Sequence, residues 1–200
     1  MADDLILVNE QNRAIGRAEK RKVHEAGLLH RAFSIFLVDP AGQLLLQQRH
    51  PAKYHSGGLW ANSCCGHPHP GEQTLRAAQR RLGEELGVTC PLRFGFQTRY
   101  GTTFPDGMVE NEIVYVYFGL VPAGITPDCS EISALALSTL ANLKNDITRN
   151  PEAYAFWLKY YIAHHFREIS DGTNNVLQRA SEAQNRRRTS QARSTARSFA

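Results

Sequence analysis

The sequence GHPHPGEQTLRAAQRRLGEELGV, at residues 66–88, decides the fold of this chain. Its apolar residues Leu75, Ala78, Leu82 and Leu86 recur at helical spacing, which predicts an amphipathic helix with one apolar stripe. Gly87 stands where a glycine is expected just after the last turn of a helix. The segment therefore predicts a helix that ends before Gly87 and packs on a β-sheet.

Groups suited to chemistry gather around the beginning of this helix. A thiol and an imidazole, Cys65 and His67, come directly before it, and Glu72, Glu84 and Glu85 lie within it. Carboxylates bind divalent cations, which commonly accompany phosphate groups in enzymes. The arrangement indicates a site for an anionic substrate that carries a metal ion.

The spacing of the fixed residues in this segment resembles the Nudix box at every position but one. The exception is Arg81, because Nudix hydrolases have a glutamate there that helps to hold the metal ion that activates water. A guanidinium has no acceptor atom for a metal, so Arg81 argues against hydrolysis by the usual route. The matching pattern is Gly66-x5-Glu72-x7-Arg80-x-Leu82-x-Glu84-Glu85-x-Gly87-Val88.

Two flanking segments carry further titratable groups. Downstream, Glu110 and Glu112 open an apolar run at residues 113–118, which predicts a strand with carboxylates at its entrance. Upstream, Lys20, His24 and His30 precede another predicted strand. Candidate polar residues thus lie at the starts of strands as well as at the start of the helix.

From about Leu5 to about Phe166, the sequence strongly resembles the type I isopentenyl-diphosphate isomerases in the order, spacing and identity of these residues. The resemblance implies an α/β Nudix-like fold, a single domain in which a mixed β-sheet is sandwiched between helices. Its specificity comes from three motifs in combination, namely Ser63-x-Cys65-Gly66-His67-Pro68, the box with Arg81, and Glu110-Asn111-Glu112.

The resemblance implies a reversible isomerisation of isopentenyl diphosphate to dimethylallyl diphosphate, in which one proton is added and another removed through a tertiary carbocation. Cys65 and Glu112 are the implied acid and base on opposite faces of the substrate, and Tyr100 hydrogen-bonds on the Glu112 side. The sequence leaves open which of the two donates the proton. Cys64 is expected to point the other way along an extended segment and to be structural.

Two metal sites are implied by the same resemblance, and no flavin is expected. One tightly bound divalent ion, Mn²⁺, Zn²⁺ or Mg²⁺, suits a mixture of imidazoles and carboxylates. A second ion, Mg²⁺, arrives with the diphosphate and is held by Glu85 and the backbone carbonyl of Cys65. The implied ligands of the tight site are His24, His30, His67, Glu110 and Glu112.

Basic residues fall where the family has its diphosphate contacts, and arginine and lysine together make a reasonable clamp for phosphate oxygens. Trp157 aligns with the family's cation-facing indole, and Trp60 is a second candidate to line a dry pocket. The implied diphosphate contacts are Lys20, Arg49, Lys53 and Arg81. The other histidines, which are His50, His55, His69, His164 and His165, are interpreted as solvated or packing residues.

Two other functions stay open as alternatives. A Nudix pyrophosphohydrolase would share the box, although Arg81 and the pair of Cys65 and Glu112 disfavour it. A non-catalytic module that binds metal or polyanions would use the histidines and the arginines near the C-terminus. Such a module would not need a thiol opposite a carboxylate.

Length and composition predict a cytoplasmic protein. The chain has 200 residues, 42% of them hydrophobic, which is enough for one domain with a substantial core. No apolar segment reaches the roughly 20 residues needed to cross a bilayer. The four cysteines have no spacing typical of disulfides or zinc fingers, so reduced thiols are expected. We expect a monomer or weak homodimer with a small-molecule substrate and neither a membrane nor a nucleic-acid partner.

The chain divides by composition into three parts. Residues 1–30 form an N-terminal strand and metal-ligand segment of the same domain, and residues 31–170 form the Nudix-type core. Much of the excess positive charge lies in residues 171–200, apart from the core, which argues against nucleic acid. This basic tail has few apolar residues and is predicted to be disordered, with a helical extension or a polyanion-binding arm as alternatives.

Apolar runs and turn residues give a coarse secondary structure. Strands are predicted at residues 5–8, 92–100 and 110–120, and a hairpin joins residues 32–39 to 44–48 through Pro40 and Gly42. A last helix is predicted to begin at Pro151, which suits a first helical turn, and to run through Trp157 and Tyr161.

Overall fold

The computed structural model describes residues 4–53 and 55–197, with side chains up to residue 186. The strands are β1 (Asp4–Val8), β2 (Ala14–Glu19), β3 (His30–Val38), β4 (Leu44–Arg49), β5 (Trp60–Asn62), β6 (Cys64–Gly66), β7 (Arg93–Thr103), β8 (Val109–Leu120) and β9 (Ile132–Ser138). The helices are α1 (Lys20–Ala26), α2 (Thr74–Leu86), α3 (Leu140–Arg149), α4 (Phe156–His164) and α5 (Phe166–Arg197), with a 3-10 turn at Pro151–Ala153.

Strand β3 is the centre of a mixed sheet. It runs parallel to β8 along its whole length, from His30 opposite Glu112 to Val38 opposite Leu120. Its other edge pairs antiparallel with β1, β6 and β4 in turn. The expected hairpin to β4 is confirmed only at the turn, since Val38 and Leu44 are the paired residues and β4 then continues beside β5 and β9.

Side chains of β3 alternate between the two faces of the sheet, as the pleat requires. Phe33, Ile35 and Leu37 pack with α2, whereas Phe36 and Val38 pack with α4 and α5. Helices therefore cover both faces of a mixed sheet, and the predicted α/β fold of a single domain is confirmed.

Helix α2 is the one that residues 66–88 predict. It spans Thr74–Leu86, and Gly87 follows in the left-handed conformation at φ 67°, donating to Gly83 O and Leu82 O. The buried stripe contains Ala77, Ala78, Leu82 and Leu86, together with Glu85. Leu75 was predicted to belong to this stripe and is instead 38% exposed, because the first turn reaches past the edge of the apolar cluster.

The last predicted helix begins later than expected. Pro151 starts a separate 3-10 turn, after which Tyr154 is extended and pairs with Trp60, and α4 begins only at Phe156. The backbone of Ala155 donates to Trp60 O at 2.9 Å, which ties this connection to the end strand β5. The predicted helix does not start at Pro151 because Tyr154 and Ala155 are bonded to the sheet at Trp60.

The prediction of disorder from residue 171 is wrong for the described part of that segment, which continues helix α5. Ile169, Thr173 and Val176 are buried at helical spacing on the sheet. The average composition of residues 171–200 does not reveal so short a buried stripe. Residues 198–200 lie outside the described part of the chain. Among the described residues, no helix combines the length and apolarity needed to span a membrane.

Candidate active site

Four potential metal ligands meet at one end of the sheet. His24 comes from α1, His30 from the start of β3, His67 from just after β6, and Glu112 from β8. One ligand atom from each lies within 4.8 Å of all the others. The parallel register sets His30 directly beside Glu112, which explains why residues far apart in sequence converge.

The imidazoles of His24 and His30 are oriented as metal ligands usually are. His24 Nδ1 lies 2.7 Å from Lys20 O, and His30 Nδ1 lies 2.8 Å from Leu28 O. A carbonyl oxygen only accepts, so each Nδ1 carries a hydrogen, and Nε2 is the nitrogen of each ring that could bind a metal. His30 Nε2 is buried and forms no hydrogen bond with any described residue. The donor set therefore fits a divalent cation.

Glu112 connects the cluster to the predicted tyrosine. Its Oε1 lies 2.8 Å from His67 Nε2, and its Oε2 accepts a hydrogen bond from Tyr100 OH at 2.6 Å. Burial opposes the charge of Glu112, but the neighbouring imidazoles of His30, at 3.3 Å, and His67 outweigh burial and hold its pKa well below the usual value. Burial and the charge of Glu112 raise the pKa of Glu110.

Glu110 lies at the edge of the cluster rather than within it. Its Oε2 is 3.5 Å from His24 Nε2, and its Oε1 is 3.4 Å from His55 Nε2. Of the two interpretations of His55, solvated or packing, the structure agrees with packing, since its side chain is only 8% exposed and touches a candidate ligand. Burial lowers the pKa of His55 to about 3, so this imidazole is neutral.

The two adjacent cysteines lie on opposite sides of the sheet, as expected from strand alternation. Cys64 is fully buried in the cluster under α2, while Cys65 lines the cavity on the other side. Cys65 Sγ donates to Asn62 Oδ1 at 3.2 Å and lies 3.3 Å from Ser34 Oγ. Burial raises the pKa of Cys65 to about 12, so the thiol keeps its proton at neutral pH.

Cys65 and Glu112 reach one cavity from the two edges of β3. Cys65 is on β6, paired opposite Ser34, and Glu112 is on β8, paired opposite His30. Both side chains line a cavity of about 360 Å³. Ser34 accepts or donates a 2.8 Å hydrogen bond to Tyr161 OH and so links the thiol to α4.

The predicted diphosphate contacts line another wall of this cavity. The lining cations that the sequence singled out are Lys20, Arg49, Lys53 and Arg81. Burial lowers the pKa of Lys20, and the nearby charges of Arg49 and Arg81 lower it further. Because these cations repel one another, a bound anion would relieve the repulsion.

A carboxylate that the sequence did not single out lies among these cations. Glu131 precedes β9, pairs with Lys53, and approaches Arg81 NH2 at 3.5 Å. Arg81 also pairs with Glu84 at 2.7 Å and with Glu85. Glu85 is buried and accepts a hydrogen bond from Gln47 at 3.1 Å. Acidic groups thus hold the basic wall in place.

Trp157 is buried and lines the cavity, whereas Trp60 is not among the lining residues that the structure describes. The Arg49 guanidinium lies over the Trp157 ring, with Cζ 5.3 Å from the centroid. His55 meets the same indole edge-on, at 5.9 Å and 88°. Trp60 instead joins β5 to residue 154, so only one of the two candidate indoles reaches the site.

Every catalytic, substrate and metal residue that the sequence proposed is close to this cavity. His24 and His30 are buried behind its wall, and the others line it. The sequence reasoning missed Ser34, Asn62, His55, Glu131 and Tyr161. Asn62 stands inside the motif around Cys65 and could have been found there, whereas His55 and Glu131 are on irregular segments that give no periodic signal.

Comparison with known proteins gives agreement in sequence and in fold. The NUDIX domain profile matches residues 28–160. The isopentenyl-diphosphate Delta-isomerase of Burkholderia multivorans is 45% identical over 157 residues, which cover 78% of this chain and 89% of the relative. The protein of the same name from Streptomyces avermitilis is 49% identical over 150 residues, 74% of this chain and 76% of the relative.

Solved structures agree in fold alone. A protein of Deinococcus radiodurans superposes with a TM-score of 0.69 at 23% identity, covering 82% of this chain and 99% of the other. A MutT protein from Methanosarcina mazei superposes with a TM-score of 0.55 at 17% identity, covering 74% and 94% of the two chains.

Proposed function

The chain belongs to the NUDIX-domain isopentenyl-diphosphate Delta-isomerases, and we propose that it interconverts isopentenyl diphosphate and dimethylallyl diphosphate, the allylic partner, for isoprenoid synthesis. The observation that carries the proposal is that the thiol of Cys65 and the carboxylate of Glu112 line one cavity with a wall of cations. This combination can move protons on a substrate that the cations hold by its diphosphate.

Hydrolysis is disfavoured by Arg81, which stands where the Nudix box of a hydrolase has a glutamate. Arg81 faces the cavity and pairs with Glu84 and Glu85, so it adds positive charge where a hydrolase has a metal-binding carboxylate. We assign Arg81 to the diphosphate, together with Lys20, Arg49 and Lys53. Forked donors of arginine match two phosphate oxygens and would hold the diphosphate in the cavity.

Cys65 and Glu112 are proposed to act as the acid and base of the proton shift. Cys65 carries a hydrogen at neutral pH, and the Glu112 carboxylate can accept one, with Tyr100 holding Glu112 Oε2 in a fixed direction. Since the reaction is reversible, the two roles exchange with direction.

The intermediate needs protection from water, since a tertiary carbocation is captured quickly by a hydroxyl group. Trp157 supplies an indole at the cavity, and an indole face stabilises a desolvated cation by up to about 2 kcal/mol. Tyr100 and Phe33 line other parts of the same cavity. We assign to these aromatic groups the exclusion of water.

We propose that His24, His30, His67, Glu110 and Glu112 hold one tightly bound divalent ion, Mn²⁺, Zn²⁺ or Mg²⁺. When bound, such an ion would fix the orientation of Glu112 and tune its acidity. Glu85 and the backbone carbonyl of Cys65 are proposed to hold a Mg²⁺ that arrives with the diphosphate. No flavin is required, since the acid and base belong to the protein.

We propose that the protein works in the cytoplasm. The described cysteines are free thiols, which suits a reducing cytoplasm. The only partner that the cavity requires is the small diphosphate. We propose that the protein works as a monomer or weak homodimer without nucleic acid or membrane.

The decisive assay is incubation of purified protein with labelled isopentenyl diphosphate and Mg²⁺, without flavin. Isomerisation gives an allylic product that keeps its diphosphate until acid is added, and acid then breaks the allylic C–O bond and releases the labelled carbon chain as an alcohol. A pyrophosphohydrolase would release phosphate and form no allylic product. The latter result would overturn the proposal.

A further inference from the structure

His55 lies between the group of candidate metal ligands and the indole of Trp157. Its Nε2 is 3.4 Å from Glu110 Oε1, and its ring meets Trp157 edge-on. The opposite contact is Phe104, whose ring stacks on His55 at 5.4 Å and 15°. The imidazole is therefore clamped between two aromatic rings and a carboxylate.

The backbone of the same residue is tied to the basic wall. Arg49 NH2 donates to His55 O at 3.3 Å, and the backbone of Gly58 donates to Arg49 O at 3.0 Å. These bonds hold the irregular segment between β4 and β5 against the cavity. Substituting the His55 side chain leaves both bonds possible, since they use only backbone atoms of that segment.

A second cavity of about 450 Å³ lies on the far side of His55, toward the connection between β7 and β8. Exposed residues such as Pro105 and Glu152 line it, so water has access. Within the described part of the chain, His55 alone lines both this outer cavity and the active-site cavity. The His55 imidazole therefore separates the outer cavity from the active-site cavity.

We propose that His55 is a positioning residue that keeps water in the outer cavity from reaching the carbocation in the inner one, an inference that rests on the proposed isomerisation. Without this wall, a water oxygen would bond to the cationic carbon and then lose a proton. The product would be a saturated tertiary alcohol that keeps its diphosphate. No oxidant or reductant is needed, because the step is the hydration of an alkene.

The test measures two products from isopentenyl diphosphate in water enriched in ¹⁸O. His55→Ala is expected to raise the ratio of ¹⁸O-labelled tertiary alcohol to dimethylallyl diphosphate several-fold, with KM near the wild-type value. His55→Phe keeps an aromatic plate between Phe104 and Trp157, so its product ratio is expected to stay near that of the wild type. His50→Ala is the matched control, a histidine of the same segment that lines neither cavity.

Wild-type protein that forms neither product would overturn the proposed function itself. Isomerisation by the wild type, together with an unchanged product ratio in His55→Ala, would overturn only the role of His55. A ratio as high in His55→Phe as in His55→Ala would also overturn it, because the contact with Glu110 would then matter instead of the ring. If His55→Ala does not fold, His55→Gln replaces it, since glutamine likewise lacks the plate.

Discussion

At the scale of single residues, Cys64 and Cys65 divide two tasks between neighbouring positions. The Cys64 side chain fills the core under α2, where an inert thiol behaves as a small apolar group. The Cys65 thiol faces the cavity, and hydrogen bonds with Ser34 and Asn62 fix its direction. Alternation along β6 is enough to produce this division.

Replacement of the two cysteines therefore has opposite consequences. Cys65→Ala is expected to abolish turnover with the fold intact, because it removes the proton-carrying group. Cys64→Ala is expected to keep turnover and lose stability through a small core cavity. Steady-state rates and thermal unfolding of both variants test this, and equal loss of activity in two folded proteins would contradict it.

Glu131 is expected to compete with the substrate for cations. Lys53 and Arg81 both contact its carboxylate, so the diphosphate must displace these contacts on binding. Glu131→Gln is expected to lower the inhibition constant for pyrophosphate by about two- to fivefold, the range that partly exposed ion pairs allow. Competition assays at fixed Mg²⁺ measure this constant.

Glu84→Gln is the control, because Glu84 also pairs with Arg81 but, unlike Glu131, has no ion pair with Lys53 among the described residues, and its side chain is 42% exposed. Its effect is expected to be smaller. Weaker pyrophosphate binding in Glu131→Gln would show that this carboxylate helps to bind the Mg²⁺–diphosphate complex instead.

At the scale of elements, the periodic spacing of apolar residues predicted the regular helix and strand correctly. Helix α2, its Gly87 end and strand β8 follow from periodic apolar residues and occur within a residue or two of the expected bounds. The contacts of His55 and Glu131 depend on how irregular segments fold over the cavity, and no local pattern encodes such contacts. The tail was mispredicted because a few buried positions decide docking, whereas composition counts every position equally.

Docking of α5 depends on close approach at Gly172. A Cβ there would lie 2.5 Å from the Phe118 ring, and a Cβ at Gly95 would lie 2.2 Å from the same ring. Phe118 therefore has no room to move aside. Gly172→Ala is expected to destabilise the fold by about 1–3 kcal/mol, the usual cost of overpacking.

The matched control is Gly83→Ala on α2, where a Cβ meets nothing within 4 Å. Alanine there is expected to stabilise by up to about 1 kcal/mol, because it restricts the unfolded chain and favours a helix. Thermal and denaturant unfolding of the two variants compare these signs. A stabilised Gly172→Ala would show that α5 does not pack as described.

At the scale of the whole molecule, the group of candidate metal ligands joins parts that are distant in sequence. Its ligands come from α1, β3, the segment after β6, and β8. An ion bound there would stabilise the folded chain, since the unfolded chain does not preform the site. A bound ion would therefore link the N-terminal segment to the core.

Removing the ion is expected to lower the unfolding temperature of the wild type, and restoring a divalent ion should raise it again. His30→Ala is expected to lose both the bound metal and this metal-dependent shift, whereas His164→Ala, a histidine on the exposed side of α4, should keep both. Metal analysis and thermal unfolding with and without chelator measure this. Equal stoichiometry in the two variants would exclude the cluster as the site.

The most direct test of the proposed proton shift is the reaction of isopentenyl diphosphate in D₂O, followed by NMR with Mg²⁺ and no flavin. Protonation by exchangeable groups such as the Cys65 thiol predicts dimethylallyl diphosphate that carries solvent deuterium in a methyl group, with the diphosphate intact. Cys65→Ala and Glu112→Gln are predicted to give neither product nor label. A product without deuterium would mean that hydrogen moves within the substrate, and this result would contradict the acid–base account.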